Sequence, residues 1–315
     1  MALDEATTAF LGRMASSGGE PLHEMSPVEA RVLGAALREM YGPGPEVGSI
    51  TEDTVPVDGG QITVRIFTPR EPARALIVYY HGGGWVVGTL DDFDPLAREL
   101  ADRARAAVVL VDYRLAPEHR FPTALDDAWA ALRWVDERRE QIAGGPVPLV
   151  VAGDSAGGNL AAVVAQRAKA ADGPDLALQV LVYPVTDADF ETASYLDPQN
   201  QLMIDREAMI WFWDHYAPDL GDRRHPELSP LGASDLSDLP PAVVLTAEHD
   251  VVRDEGEAYA DRLARAGVPV HLRRWPGQMH GFFQMVNLLP GAVDGVAHVA
   301  AEIDRQLTAD VGAAV

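Results

Sequence analysis

Val147-Pro148-Leu149-Val150-Val151-Ala152-Gly153-Asp154-Ser155-Ala156-Gly157-Gly158-Asn159-Leu160 is the stretch whose reading decides the fold. An apolar, β-branched run ends at Gly153, and a helical pattern starts just after Ala156 and continues toward Ala171. Between them Ser155 stands in a G-x-S-x-G pattern, in the strand–turn–helix setting that a nucleophile elbow requires. Such a turn is so tight that side chains two before and two after the serine would collide, which accounts for glycine at 153 and 157. It lifts the serine Oγ to the head of a helix, with the Ala156 N–H aimed the same way, ready to bind an oxyanion. The plain alternative is a surface Gly-Ser-Gly turn. The strand before, the helix after and the partners found below disfavour it.

Composition narrows the class. The 315 residues suit a single α/β domain with an inserted segment, and 47% hydrophobic residues provide a sizeable core. No apolar run approaches the ~18 residues of a membrane span. Met1-Ala2-Leu3-Asp4-Glu5 lacks a basic region followed by an apolar run, so no signal peptide is expected and a cytoplasmic location fits. With no cysteine, a disulfide framework, a thiol nucleophile and a Cys-ligated metal are excluded. A net charge of −23 argues against nucleic acid as partner and against an anionic membrane surface. The acidity serves solubility or, with Lys169 the sole lysine, adaptation to salt.

Outward from the elbow, strands and helices alternate. Residues 1–50 read as two amphipathic helices, 4–16 and 26–40, the second opened by Ser26-Pro27-Val28-Glu29. Asp58-Gly59-Gly60 marks a hairpin turn before a strand at 61–68. Continuous apolar runs at 75–80, 107–111, 149–152 and 177–183 read as strands buried on both faces, with helices at 94–104 and 123–139 between them. The alternation lapses from about 184 to 239, where the aromatic helix 206–216 carries Trp211, Phe212 and Trp213. It resumes with a strand at 242–247, a helix at 254–266, a strand at 270–275 and a helix at 292–307. The pattern predicts an α/β fold with a mostly parallel central sheet flanked by helices. Insertions after strands of such a sheet usually land above the C-terminal strand ends. The expected organisation is therefore a helical cap built from residues 1–50 and 185–239, over a core of residues 51–184 and 240–315.

A serine hydroxyl needs a base, and the base needs an orienting acid. In a sheet of this kind the order is Ser, then Asp or Glu, then His, on loops after later strands. Of the histidines beyond residue 244 and before the last helix, His271 sits inside a strand pattern and His249 is too close to the acid candidates. His280, in Gly277-Gln278-Met279-His280-Gly281-Phe282, follows the final strand and is the candidate base. Among Glu248, Asp250 and Asp254, Glu248 is still near the strand and is expected to pack inward, and Asp254 looks like the N-cap of the next helix. Asp250, three residues past the expected strand end, is the candidate acid. His81-Gly82-Gly83-Gly84 follows the 75–80 strand, and a glycine-rich turn can aim consecutive amides at one point. Gly83 and Gly84, with Ala156, are the candidate oxyanion donors, and Gly82 is the alternative to Gly84. A phosphate-binding reading fails, since no P-loop lysine and no dinucleotide fingerprint is present.

Taken together, HGGGW at 81–85, DYRLAPEHRFPTALDD at 112–127, GDSAGGN at 153–159, and Asp250 with His280-Gly281-Phe282 resemble the hormone-sensitive-lipase-like esterases, bacterial family IV of the α/β hydrolases. The match spans about residues 75–283, with the four motifs in family order. The resemblance implies the α/β-hydrolase fold with a two-part helical cap, and a carboxylesterase without cofactor or metal. It implies hydrolysis of short- to medium-chain acyl esters through an acyl-enzyme, and an architectural role for 112–127. Family members usually carry Asp-Pro-Leu at the acid, whereas this chain has Asp250-Val251-Val252, which bears on the local turn. The partner expected is a small-molecule ester, and a homodimer is left open beside the monomer. Two other functions compete. One is ligand binding without catalysis, as in plant hormone receptors of similar sequence that lack the base; the other is amide hydrolysis on the same fold. His280 argues against the first, and the sequence separates ester from amide poorly.

Overall fold

The computed structural model describes residues 2–313; Met1, Ala314 and Val315, at the outer ends of the first and last expected segments, lie outside them. Two helices come first, α1 (Glu5–Ser17) and α2 (Pro27–Tyr41). The Asp4 carboxylate accepts the Thr7 N–H at 2.6 Å. At α2 Ser26 Oγ accepts from Glu29 N at 3.3 Å while Glu29 Oε2 accepts from Ser26 N at 2.8 Å. Caps of this kind contribute about 1 kcal/mol each.

The hairpin β1 (Ser49–Val57) and β2 (Gly60–Thr68) turns at Asp58-Gly59. There follow β3 (Ala75–Tyr80), α3 (Leu90–Ala104), β4 (Ala106–Asp112), α4 (Thr123–Glu137), α5 (Arg139–Ala143), β5 (Leu149–Asp154), α6 (Ala156–Ala170) and β6 (Leu178–Val182). The stretch without strands contains α7 (Ala193–Leu196) and α8 (Arg206–Tyr216). The chain closes with β7 (Ala242–His249), α9 (Arg253–Arg265), β8 (Val270–Met279) and α10 (Pro290–Ala313).

The strands form one eight-stranded sheet in the order β1-β2-β4-β3-β5-β6-β7-β8. β1, β2 and β4 pair antiparallel, and every pairing from β4 through β3 to β8 is parallel. The continuous apolar runs are explained by this geometry. Leu76, Val78, Val108, Val109, Leu149, Val151 and Val180 are buried between helices on both faces, each such side chain contributing about 1.5–3 kcal/mol. α3 packs with α10, α4 packs with α6, and α9 lies against β7 and β8. All the parallel strands point the same way, so His81, Ser155, Asp250 and His280, each next to a strand end, gather at one edge of the sheet.

Several boundaries differ from the sequence reading. β1 begins at Ser49, inside the stretch assigned to 1–50. α3 starts at Leu90, not 94, because Thr89 caps it and Pro95 is accommodated inside the helix. The expected helix 123–139 divides at Arg138, whose φ of −116° leaves the helical region. β7 and β8 run on to His249 and Met279, so Asp250 lies directly after its strand, not three residues beyond it. Asp254 is not an N-cap: Val252 holds that position, and Asp254 sits in the first turn. Glu248 does not pack inward; partly exposed, it accepts the Gly277 N–H at 2.8 Å.

Candidate active site

Ser155 has φ 55° and ψ −118°, a left-handed conformation costly for a residue with a Cβ, on the order of 1–3 kcal/mol. The surroundings impose it. Ser155 N donates to Val182 O at 2.9 Å, and Ser155 O accepts from Val185 N at 3.2 Å. A Cβ on Gly153 would run into the Gly157 carbonyl, and one on Gly157 into the Tyr80 carbonyl.

The three residues named from the sequence meet. His280 Nε2 lies 2.9 Å from Ser155 Oγ, and His280 Nδ1 lies 2.9 Å from Asp250 Oδ2. A carboxylate only accepts, so Nδ1 carries the proton and Nε2 is left as acceptor for the serine hydroxyl. Asp250 is fully buried, Ser155 and His280 nearly so. The Tyr183 ring leans on the imidazole with centroids 4.6 Å apart. The turn at Asp250-Val251-Val252 closes without proline, since Val252 N donates to Asp250 Oδ1 at 3.0 Å. The other titratable candidates lie elsewhere: His271 is on the exposed part of β8, and the buried His249 ends β7.

The three glycines of the loop differ in what their N–H groups meet. Gly82 N already donates to Asp154 Oδ1 at 2.9 Å. Among the described residues, nothing accepts from the N–H groups of Gly83 and Gly84. Ala156 N, at the first position of α6, has no intrahelical partner either. Gly83 and Gly84 have φ 110° and 57°, and a Cβ at Gly84 would overlap the Phe212 ring.

Asp154, passed over in the sequence as a site residue, joins two parts of the site. Its Oδ1 accepts both Gly82 N and Tyr79 Oη, each at 2.9 Å, which ties the glycine loop to the elbow. Burial raises its pKa to about 6, against the lowering pull of Tyr79, His280 and Gly82. The available signal was a charged residue at the end of an otherwise apolar strand. His81 Nδ1 donates to its neighbour's carbonyl, Gly82 O, at 2.7 Å, and its ring stacks on Tyr113 at 4.4 Å. Burial lowers its pKa to about 4, so it stays neutral. The 112–127 stretch braces the same corner: Tyr113 Oη donates to His81 O at 2.7 Å, and Arg114 pairs with the fully buried Asp127 at 2.6 Å.

Ser155 and His280 open into a mostly apolar cavity of about 540 Å³. Its walls include Met14 of α1, Leu33, Gly34 and Leu37 of α2, and Met203, Met209 and Phe212 of the stretch after β6. Of the three consecutive aromatics, Phe212 alone lines it. Residues one apart on a helix point about 100° apart. Accordingly Trp213 packs edge-on against Trp85 at 5.1 Å, and Trp211 Nε1 donates to Met25 O at 3.1 Å. Among the described residues, no group of three or more His, Asp or Glu is placed to hold a metal ion, and no helix is long and apolar enough to cross a membrane.

Residues 77–284 match the model of a family described as having the alpha/beta hydrolase fold. The chain is 44% identical to carboxylesterase NlhH of Mycobacterium tuberculosis over 88% of its own length and 90% of that protein. It is 38% identical to ethyl acetate hydrolase of Pseudomonas putida, over 91% and 92% of the two chains. Among solved structures, a thermostable esterase from Pseudomonas putida superposes with TM-score 0.89 at 37% identity, covering 97% of this chain and 98% of that one. A hyperthermophilic esterase from Pyrobaculum calidifontis superposes with TM-score 0.89 at 36% identity, covering 96% and 98%. The motifs, the sheet order and these likenesses agree, and the chain belongs to the hormone-sensitive-lipase-like family of α/β hydrolases.

Proposed function

We propose that this carboxylic ester hydrolase works by acyl transfer through Ser155, with His280 as base and Asp250 as orienting acid. The observation that carries the reading is the chain of two 2.9 Å hydrogen bonds from Asp250 through His280 to Ser155, at the floor of an apolar cavity. His280 Nε2 takes the Ser155 proton as Oγ attacks the ester carbonyl. The oxyanion is held by the N–H groups of Gly83, Gly84 and Ala156, each contributing about 2.7–4 kcal/mol to the transition state. His280 then gives its proton to the leaving alcohol. Water then attacks the acyl carbonyl as His280 Nε2 takes its proton, and that proton passes to Ser155 Oγ as the acyl–oxygen bond breaks and the acid leaves.

The substrates are short- to medium-chain acyl esters. The two-part cap comprises residues 1–48 and 185–239: both segments line the cavity, and Trp211 of one is hydrogen-bonded to Met25 of the other. A panel of p-nitrophenyl esters against matched anilides, run on wild type and Ser155→Ala, tests the reading. Esters turn over and anilides do not. A Ser155→Ala protein that keeps more than about a thousandth of wild-type kcat removes Ser155 as nucleophile.

A further inference from the structure

The chain between β6 and β7 holds the acid's turn from outside. Asn200, almost fully buried, donates both hydrogens of its side-chain amide, one to the Asp250 carbonyl at 3.2 Å and one to the Ser194 carbonyl at 2.8 Å. The buried Ser194 hydroxyl donates to the Val251 carbonyl at 2.6 Å and accepts the Asp254 N–H at 3.2 Å. In return the Asp254 carboxylate accepts the Ser194 N–H at 2.8 Å. Two consecutive carbonyls of the turn that presents the acid are therefore anchored by side chains of a segment that contributes nothing to the Asp–His–Ser chain itself.

Orientation of the acid depends on those peptides. Asp250 Oδ1 accepts from Val252 N, and only the remaining oxygen, Oδ2, faces His280 Nδ1. A tilt of the 250–252 peptides would swing that oxygen off the imidazole, and a displacement of about 1 Å at a reacting group can cost about 10²-fold. The same segment reaches the substrate. Leu202 N donates to Asn200 O at 2.9 Å, and Leu202, Met203 and Ile204 line the cavity.

We propose that Ser194 and Asn200 are positioning residues for the acid: they set the angle at which the Asp250 carboxylate meets His280, and they join the cavity wall at 202–204 to that alignment. The proposal rests on Asp250 being the acid. Its test is a cycle on the full chain with a short p-nitrophenyl ester. Ser194→Ala lowers kcat by about 10- to 100-fold with KM little changed. Ser194→Thr, which keeps the hydroxyl, restores most of the rate. In an Asp250→Asn background the same Ser194→Ala change costs less than about twofold, because the oriented group is gone. Asn200→Ala goes through the identical cycle and decides the matter if Ser194→Ala does not fold. An equal loss in both backgrounds, or a lowered Tm with kcat unchanged, overturns the proposal. Full activity in Asp250→Asn alone would instead overturn the assignment of the acid, a separate result.

Discussion

Asp154 offers the sharpest test of how the elbow and the glycine loop work together. Its carboxyl is buried, and burial outweighs its hydrogen bonds from Tyr79 and Gly82, giving a pKa of about 6 in place of 3.8. The folded state thus binds the proton more tightly than the unfolded chain. The stabilisation this brings is complete below about pH 3.8 and is lost as pH rises through about 6. At 1.36 kcal/mol per pH unit, ionisation costs the fold up to about 3 kcal/mol at pH 8. Asp154→Asn carries no charge yet keeps an oxygen for Gly82 N and Tyr79 Oη. It should be more stable than wild type by up to about 3 kcal/mol at pH 8, with the gap closing toward pH 4. Its kcat should stay within about tenfold, because the glycine loop remains tied. Asp154→Ala removes the acceptor altogether. Leaving a buried N–H and O–H unmet costs about 1–3 kcal/mol each, and a released Gly82 lets the Gly83 and Gly84 donors drift, lowering kcat by about 10²–10³. Urea unfolding at half-unit steps from pH 4 to 8, beside steady-state esterase kinetics, reads both effects. An Asp154→Asn protein less stable than wild type at pH 8, or an Asp154→Ala protein with undiminished kcat, refutes the reasoning.

The acid assignment predicts that Asp250→Asn lowers kcat by about 10⁴ through the wrong imidazole tautomer. Asp254→Asn, whose amide oxygen can still accept from Ser194 N, should stay within a few-fold when both are assayed across about pH 5–9; the reverse pattern would exchange their roles. Gly84→Ala drives a Cβ into the Phe212 ring at a positive φ. The displaced loop should lose about one oxyanion donor, a 10²–10³ fall in kcat with little change in KM, and unchanged turnover would dismiss Gly84 as a donor. Across p-nitrophenyl esters kcat/KM should peak at about C4–C6 and fall beyond about C10, since a filled pocket gains no further ~0.8 kcal/mol per CH₂. Phe212→Ala should extend that range, whereas Trp213→Ala should alter stability and leave chain-length preference alone; a preference for long-chain emulsions contradicts the small pocket.

Much of this protein was legible in its sequence. The elbow turn, the sheet class and the meeting of Ser155 with His280 and Asp250 could be read because each follows from a local rule. Buried parallel strands need unbroken apolar runs. A strained serine turn needs glycine two residues to either side, and chain order separates base from acid once strands are placed. Capping chemistry at Ser26 and Glu29 was local in the same sense, and α2 starts where it indicated. Tertiary structure decided what depends on through-space partners. Gly82 and Gly84 look alike in sequence; only the folded chain gives the Gly82 N–H a partner, the Asp154 carboxylate 72 residues away. Trp211, Phe212 and Trp213 look like one aromatic block, but helical geometry sends a single ring into the cavity. Asp254 resembles a helix cap until the strand before it proves longer, and the partner it then finds is Ser194, 60 residues distant. Backbone conformation and binary pattern are properties of neighbours along the chain. Hydrogen-bond satisfaction in a buried site is a property of neighbours in space, and only the folded chain brings those together.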